Sequence, residues 1–513
     1  MLQVNELTIT HRKDLRAILD NFKLTLNDGD KAVIIGEEGN GKSTLLKWIY
    51  NPDLVSDYTE CNGIRITGKE ILGYLPQELP ELDKQKSLYE YFSEEDVFFD
   101  QTPKDLAKLA RDFHVKEDFF YGEQLMGSLS GGEKIKAQLM RLLIKQPTVL
   151  LLDEPSNDID IDTLVLLEKI INDWKHIVLY ISHDETLIEN TANMVIHLEQ
   201  IIRKTKSRYT VSRLPYRKYI EERLHLYQRQ EQQAMNDRRE KRIRDEKFMR
   251  IAQSVEHAQN AISRQAPGIG ASLKRKMHTV KSIEKRFERE DENMTDMPEQ
   301  EEAIFFKLGI KESAIPSGKT VIQYPLPELY TPDNKRLLSH DITLTIKGSE
   351  KICIIGDNGC GKTTLLKKIA DELLNRTDLI TEYMPQNYED LLDFTMTPVD
   401  YLDTSGDKEE RTRIRTYLGS LKYTADEMDH PIGELSGGQK AKVFLLKMSL
   451  SKANVLILDE PTRNFSPLSG PVIRQLIKEF PGAVISISHD RKYINEVCDK
   501  IYTLSSKGLI KQD

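Results

Sequence analysis

Cysteine is scarce in this chain, with four in 513 residues at Cys61, Cys353, Cys360 and Cys498 and no CxxC pair among them. That scatter excludes a zinc finger, an iron–sulfur cluster and a disulfide framework, and it suits a reducing compartment. Long apolar runs are missing too. No stretch approaches the ~18 apolar residues that cross a bilayer, and Met1-Leu2-Gln3-Val4-Asn5-Glu6 lacks the basic flank and apolar core of a secretory leader. A cytoplasmic protein is therefore expected, with no membrane contact. Positive charge is in deficit overall, 73 Lys+Arg against 82 Asp+Glu, a formal −9.

One segment runs against that balance. Between Arg213 and Glu290, 20 Lys/Arg meet 11 Asp/Glu, a net +9 that leaves −18 on the rest of the chain. A solvated helix needs charge but not charge of one sign, so the segregation points to a polyanionic partner. Within it, apolar residues at Phe248, Ile251, Val255, Ala258 and Ile262, and again at Leu273, Met277, Val280 and Phe287, recur mostly three or four apart, as on one face of a helix. Between the two series, Pro267, Gly268 and Gly270 in Gln265–Ala271 stop a helix and permit a reversal. The spacing predicts an antiparallel helical hairpin with its tip near 265–271 and a first helix from Tyr216 to Arg264, roughly 70 Å long at 1.5 Å per residue. The plainer alternative is a rigid solvated spacer between domains.

A chain of this length exceeds one core and predicts about three or four units. The first half carries a strand-like Lys31–Ile35 that runs into Gly36-Glu37-Glu38-Gly39-Asn40-Gly41-Lys42-Ser43, followed by a helical pattern. Glycines at this spacing let backbone N–H groups turn inward on phosphates, Lys42 reaches the β- and γ-phosphates, and the Ser43 hydroxyl suits Mg²⁺. Further on, Thr148–Asp153 is an apolar run ending in Asp153 and Glu154. A buried parallel strand there delivers Asp153 to the metal, and Glu154 can polarise the water that attacks the γ-phosphate. Between these lies Leu129-Ser130-Gly131-Gly132-Glu133 at a helix start, a second phosphate-facing surface by its free N–H groups, or else a plain helix cap. Gln77 and His183, each after a strand, are candidates to contact metal, water or γ-phosphate, though each taken singly also suits a structural role.

The same constellation then recurs. Gly356-Asp357-Asn358-Gly359-Cys360-Gly361-Lys362-Thr363, Gln386, Leu435-Ser436-Gly437-Gly438-Gln439, Asp459-Glu460 and His489 follow their counterparts at offsets of 320, 309, 306, 306 and 306 residues. Chance does not keep such a register. The chain thus reads as α/β, with two similar nucleotide-binding domains of parallel sheet and helix at 1–205 and 301–513, joined by a charged helical linker at 206–300.

The order of phosphate loop, glutamine, LSGGE/Q signature, Asp-Glu strand end and histidine resembles the ATP-binding cassette ATPases. Two cassettes around a charged linker are similar to the ABC-F family. The resemblance implies an ATPase in which the cassettes close head to tail around two ATPs and Mg²⁺, within a monomer. Glu154, Glu460, His183, His489, Gln77 and Gln386 would serve catalysis. Nucleotide would be held by Gly36, Gly39, Gly41, Lys42, Ser43 and Thr44 with Ser436, Gly437 and Gly438 of the opposite half. The other site would use Gly356, Gly359, Gly361, Lys362, Thr363 and Thr364 with Ser130, Gly131 and Gly132. Metal would go to Ser43 with Asp153 and Thr363 with Asp459. ABC-F proteins act on ribosomes, so the resemblance implies that the basic linker meets rRNA and P-site tRNA near the peptidyl-transferase centre, with no transmembrane partner.

Departures from the family pattern stand out. Glu38 takes the place where the family has Asn, which Asn358 keeps. After Glu460, Ser466 replaces an Asp that Asp160 keeps in the first half. The second departure resembles the antibiotic-resistance, ribosome-protecting branch. A housekeeping translation factor, a transporter subunit and a DNA-associated ATPase or scaffold remain the alternatives. For the adenine-stacking aromatic, Tyr330 is the candidate in the second half and His11 a poor one in the first.

Overall fold

The computed structural model describes residues 1–157, 159–201, 206–260, 313–333, 335–388 and 391–512, with scattered positions between 278 and 308. In the first half, β1 (Leu2–His11) and β2 (Ala17–Leu26) form an antiparallel sheet completed by a strand at Thr59–Ile66. On β1, Leu2, Val4, Leu7 and Ile9 are buried, so one face of this sheet covers the core.

The second layer is a six-stranded sheet. Its members are β3 (Lys31–Ile35), then, with the Thr59–Ile66 strand counted as β4, β5 (Leu72–Leu75), β6 (Val149–Asp153), β7 (Ile177–Ile181), β8 (Met194–Ile201) and β9 (Lys206–Ser212). Their order is β5-β6-β7-β3-β8-β9, parallel throughout except for β9, which runs antiparallel to β8. All five residues of β6 and of β7 are buried, which is why both read as unbroken apolar runs. Burial of each such side chain stabilises by about 1.5–3 kcal/mol, so these central strands are rigid points from which side chains can be aimed. Strand β9, inside the segment read as linker, pairs with the cassette as its edge.

The second half repeats this plan. Strands β10 (Thr320–Tyr330) and β11 (Leu337–Lys347) pair antiparallel. Strands β12 (Lys351–Ile355), β13 (Thr381–Met384), β14 (Val455–Asp459), β15 (Ala483–Ile487), β16 (Lys500–Ser505) and β17 (Gly508–Lys511) take the order β13-β14-β15-β12-β16-β17, with only β17 antiparallel. The two sheets match strand for strand, as the recurrence of the motifs in the same order requires. Among the described residues the small antiparallel sheet has two strands here instead of three.

Helices lie where the motifs put them. In the first half these are α1 (Lys42–Tyr50), α2 (Gly131–Ile144), α3 (Ile161–Asp173) and α4 (Glu185–Thr191). The charged segment opens with α5 (Tyr216–Asn260). The second half has α6 (Lys362–Leu374), α7 (Gly437–Leu450), α8 (Gly470–Lys478) and α9 (Arg491–Val497). The two halves form one compact unit, Met1–Tyr216 with Glu301–Asp513. Across it, Arg474 on α8 meets Glu185 at 2.8 Å, Lys492 on α9 meets Glu185 at 2.8 Å and Glu189 at 2.5 Å, and Arg491 pairs with Glu168.

The other unit, Arg217–Gln300, is helical. Its chain returns antiparallel to α5: Asp237 accepts from the Thr295 N–H at 3.0 Å, Lys241 reaches Asp291 at 2.7 Å, Arg244 reaches Asp291 at 2.5 Å, and the Phe248 and Phe287 rings meet edge-on at 5.6 Å. Positions 237, 241, 244 and 248 are three or four apart, so one stripe of the helix makes all four contacts. Three of the four are polar, and Ile251 of the expected apolar series is 52% exposed. The tip at 265–271, with Ile262, Leu273 and Met277 and the side chains of Val255 and Ala258, lies outside the described residues.

Candidate nucleotide sites

Each phosphate loop is a tight connection that only glycine can make. Gly36 has φ 144° and Gly356 φ 148°, and a Cβ there would sit 2.2 Å from the Leu198 carbonyl oxygen and 2.5 Å from that of Leu504. Gly41 and Gly361 enter α1 and α6 with φ 86° and 100°. In both loops the lysine is nearly buried and curls back on its own turn. Lys42 Nζ donates to the Gly36 and Glu37 carbonyls at 2.9 and 3.1 Å, and Lys362 Nζ to those of Gly356 and Asp357 at 2.8 and 2.9 Å. Each ammonium is thus held within its own loop by two carbonyls and is a fixed positive charge beside N–H groups that can meet a phosphate.

The strand ends supply carboxylates. Asp153, at the end of β6, is fully buried and accepts from Ser43 Oγ at 2.8 Å and from the Tyr74 hydroxyl at 3.3 Å. Burial pushes its carboxyl up to about 6 against the Ser43 hydrogen bond. Asp459 repeats this, hydrogen-bonded by Thr363 and raised by burial to about 6. Its Oδ2 is buried with no hydrogen-bond partner among the described residues. An unmatched oxygen beside a hydroxyl is an arrangement that a hard cation with oxygen ligands satisfies, and Mg²⁺ is held by one or two carboxylates together with substrate phosphates. The residues present fit it.

The next residue differs between the sites. Glu154 is a hub: Gln77 Nε2 donates to it at 3.0 Å, Asn157 Nδ2 at 2.5 Å, and His183 Nε2 lies at 3.2 Å. Burial pushes this carboxyl up, but His183, Lys42 and Asn157 outweigh it and hold the group near 2. Glu460 accepts from the His489 backbone N–H at 3.2 Å, while the His489 ring nitrogen is 3.8 Å away. Burial, then the neighbouring Asp459 charge, lift it to about 8, against Lys362 and Arg463. Both glutamates adopt left-handed backbone, φ 50° and 53°, which costs a non-glycine residue roughly 1–2 kcal/mol.

Cavities connect these groups across the two halves. One of about 450 Å³ is lined by Gly359, Gly361, Lys362, Thr363, Thr364 and Gln386 with Asp459, Glu460 and His489, and also by Gly131 of the first half. The other, about 340 Å³, holds Gly39, Gly41, Lys42, Ser43, Thr44 and Gln77 with Glu154 and His183, together with Arg463 and Asn464 of the second half. Ser436 and Gly438 face Glu37 and Glu38 of the first loop. Each loop thus has the helix start of the other half beside it. Ser130 and Ser436, though, turn their hydroxyls into capping boxes with Glu133 and Gln439, and Gly132 packs against Thr163.

Three residues escaped the motif reading. Tyr58 and Arg16 line the smaller cavity beside His11, and Arg463 lines both cavities. Arg463 follows Asn157 by the same 306 residues, which could have flagged it. Tyr330 was the expected adenine partner in the second half. Its hydroxyl donates to Glu328, and Thr331 and Leu338 line the cavity in its place, because a β-strand sends neighbours to opposite faces.

Comparison with known proteins agrees with this geometry. The family model described as ABC transporter matches residues 19–157 and 339–463. The putative ATP-binding protein YdiF of Bacillus subtilis is 28% identical over 99% of this chain and 80% of its own length. The ribosome protection protein VmlR of Bacillus subtilis is 28% identical over 97% of this chain and 86% of its own. In a crystal structure of the archaeal ribosomal stalk protein aP1 with the ribosome recycling factor aABCE1, the matched chain aligns over 99% of this chain and 90% of its own at TM-score 0.59 and 16% identity, a likeness of fold. Since the matched segments cover more than half of its residues, the chain belongs to the ABC transporter family, as a tandem-cassette ATPase of the ABC-F type.

Proposed function

We propose that this protein is an ATP-driven clamp of the cytoplasm whose two cassettes close on two nucleotides and thereby set the pose of a basic helical element on the ribosome. We read the cassettes as 1–205 and 301–513 and the charged linker as 206–300, whose first strand, Lys206–Ser212, pairs with the edge of the first cassette. In the first site Lys42 and the loop N–H groups hold the β- and γ-phosphates. Glu154 takes a proton from the water that attacks the γ-phosphorus, with Gln77 and His183 orienting both. In the second site Lys362, Gln386 and His489 take the corresponding roles, and Glu460 takes that of Glu154 once it has lost its own proton; Gly437 and Gly438 supply N–H groups to the first site and Gly131 and Gly132 to the second, each from the opposite half. Mg²⁺, held by Ser43 and Asp153 or by Thr363 and Asp459, would neutralise charge developing on the phosphate oxygens.

The observation that carries the reading is reciprocal: Gly131 borders the second loop while Ser436 and Gly438 border the first. A bound γ-phosphate between such partners joins the halves, and its hydrolysis releases them. The net +9 on Arg213–Glu290 supports an RNA target, because phosphate contacts supply much of nucleic-acid affinity and fall with salt. We read the linker as pointing toward P-site tRNA and the peptidyl-transferase centre, and the role as protection of ribosomes against antibiotics. Its supports are Ser466 in the second half and the likeness to a ribosome protection protein. A transporter subunit has no use for so basic a helical element.

The test is sedimentation of a Glu154→Gln, Glu460→Gln double variant with ATP. Co-migration with ribosomes, lost at high salt, is expected; migration with membranes or naked DNA instead overturns the ribosomal assignment. Susceptibility of cells expressing wild type or a version shortened at 265–271 tests protection. Equal susceptibility of wild type and empty vector removes that role.

A further inference from the structure

The first phosphate loop already carries an anion at the opposing helix start. Glu38 Oε2 accepts the Gly438 N–H at 2.5 Å, 400 residues away in the chain. A Cβ on Gly437 would lie 3.3 and 3.4 Å from the two Glu38 oxygens, so the carboxylate lies flat against that turn. Next to it Glu37 Oε1 pairs with Lys442 on the same helix at 3.1 Å. The Glu38 carboxylate thus sits at the N-terminal end of α7, where negative charge is favoured, while Glu37 is taken up by Lys442. Glu38 also lines the cavity that holds Lys42 and Ser43. The equivalent positions in the second loop are Asp357 and a neutral Asn358.

We propose that Glu38 is a specificity-determining residue that stands in for a γ-phosphate at the first site. This rests on the head-to-tail reading given above, under which a γ-phosphate takes the Gly437 and Gly438 N–H groups. A triphosphate must displace the carboxylate and then tolerate its charge nearby. A diphosphate ends short of that point and leaves the contact intact. The first site therefore favours ATP over ADP less than the second does.

The experiment is calorimetric titration of the purified full-length protein with ADP and with the slowly hydrolysed analogue adenylyl-imidodiphosphate. Glu38→Gln keeps size and removes charge; Asn358→Glu places the charge at the mirror position. Glu38→Gln should tighten the triphosphate analogue at one site by about three-fold or more, the scale of one charge at a helix end, with ADP unchanged. Asn358→Glu should loosen the analogue at the other. Equal changes for ADP and analogue, or a weaker analogue with Glu38→Gln, overturn the proposal. Failure of every form, wild type included, to bind the analogue overturns the nucleotide reading itself, so the two failures are distinct.

Discussion

One imidazole joins the two halves: His183 Nδ1 lies 2.8 Å from the backbone carbonyl of Phe465, while its Nε2 lies 3.2 Å from Glu154 Oε1. His489 stands further from its glutamate, at 3.8 Å. His183→Ala should therefore lower ATP turnover at saturating substrate by about 100-fold, and His489→Ala by clearly less. Equal losses in steady-state kinetics would contradict the inequality of the sites.

Arg474 is 4% exposed and sits between Glu185 of the opposite half and Glu496 of its own, at 2.8 and 2.7 Å. Removing it leaves Glu185 with Lys492 as its remaining partner and Glu496, half exposed, with water. Arg474→Ala should destabilise the compact unit by about 2 kcal/mol, read as a lower denaturant midpoint. A change within error would show that solvent already screens the pair.

Asp184 caps α4 through the Leu187 N–H at 2.7 Å, yet burial raises its carboxyl from 3.8 to about 6, aided by Asp490 and Glu168 and opposed by Arg491. The folded protein thus binds this proton more tightly than the unfolded chain. Its contribution to stability falls as pH rises from about 4 to 6 and stays low above that. Asp184→Asn, which can still cap, should raise stability at pH 7.5 by up to about 3 kcal/mol, read as a higher melting temperature, and gain nothing at pH 4. A constant difference across that range would refute the assignment.

In the helical unit, Phe287 receives the Phe248 edge at 5.6 Å and the Arg244 guanidinium over its face at 4.3 Å. Phe287→Ala should remove about 1–2 kcal/mol of local stability. Faster amide hydrogen exchange around Arg244 and Phe248, with the cassettes unaffected, is the expected signature. Unchanged exchange would mean the ion pairs at Asp291 suffice.

Much of this was readable in advance, because two sheets built on buried apolar strands must repeat when their motifs recur at 306 residues. The loops, Asp153, Glu154 and their counterparts followed from local spacing. What eluded sequence reading depends on contacts between distant parts of the chain. Tyr58 reaches its cavity through the folding of the first half, Arg463 reaches the first-half site only across the two halves, and no local pattern links Glu38 to Gly438. Ile251 fits a helical period but lies exposed, since the stripe through Asp237, Lys241 and Arg244 is joined by charge.

The left-handed backbone at Glu154 and Glu460 sets activity against robustness. Glycine at either place would relieve the local torsion while deleting the proposed proton acceptor, so an inert protein should outlast the working one on heating. Any selection for thermal endurance alone would drift toward dead enzymes at these two codons.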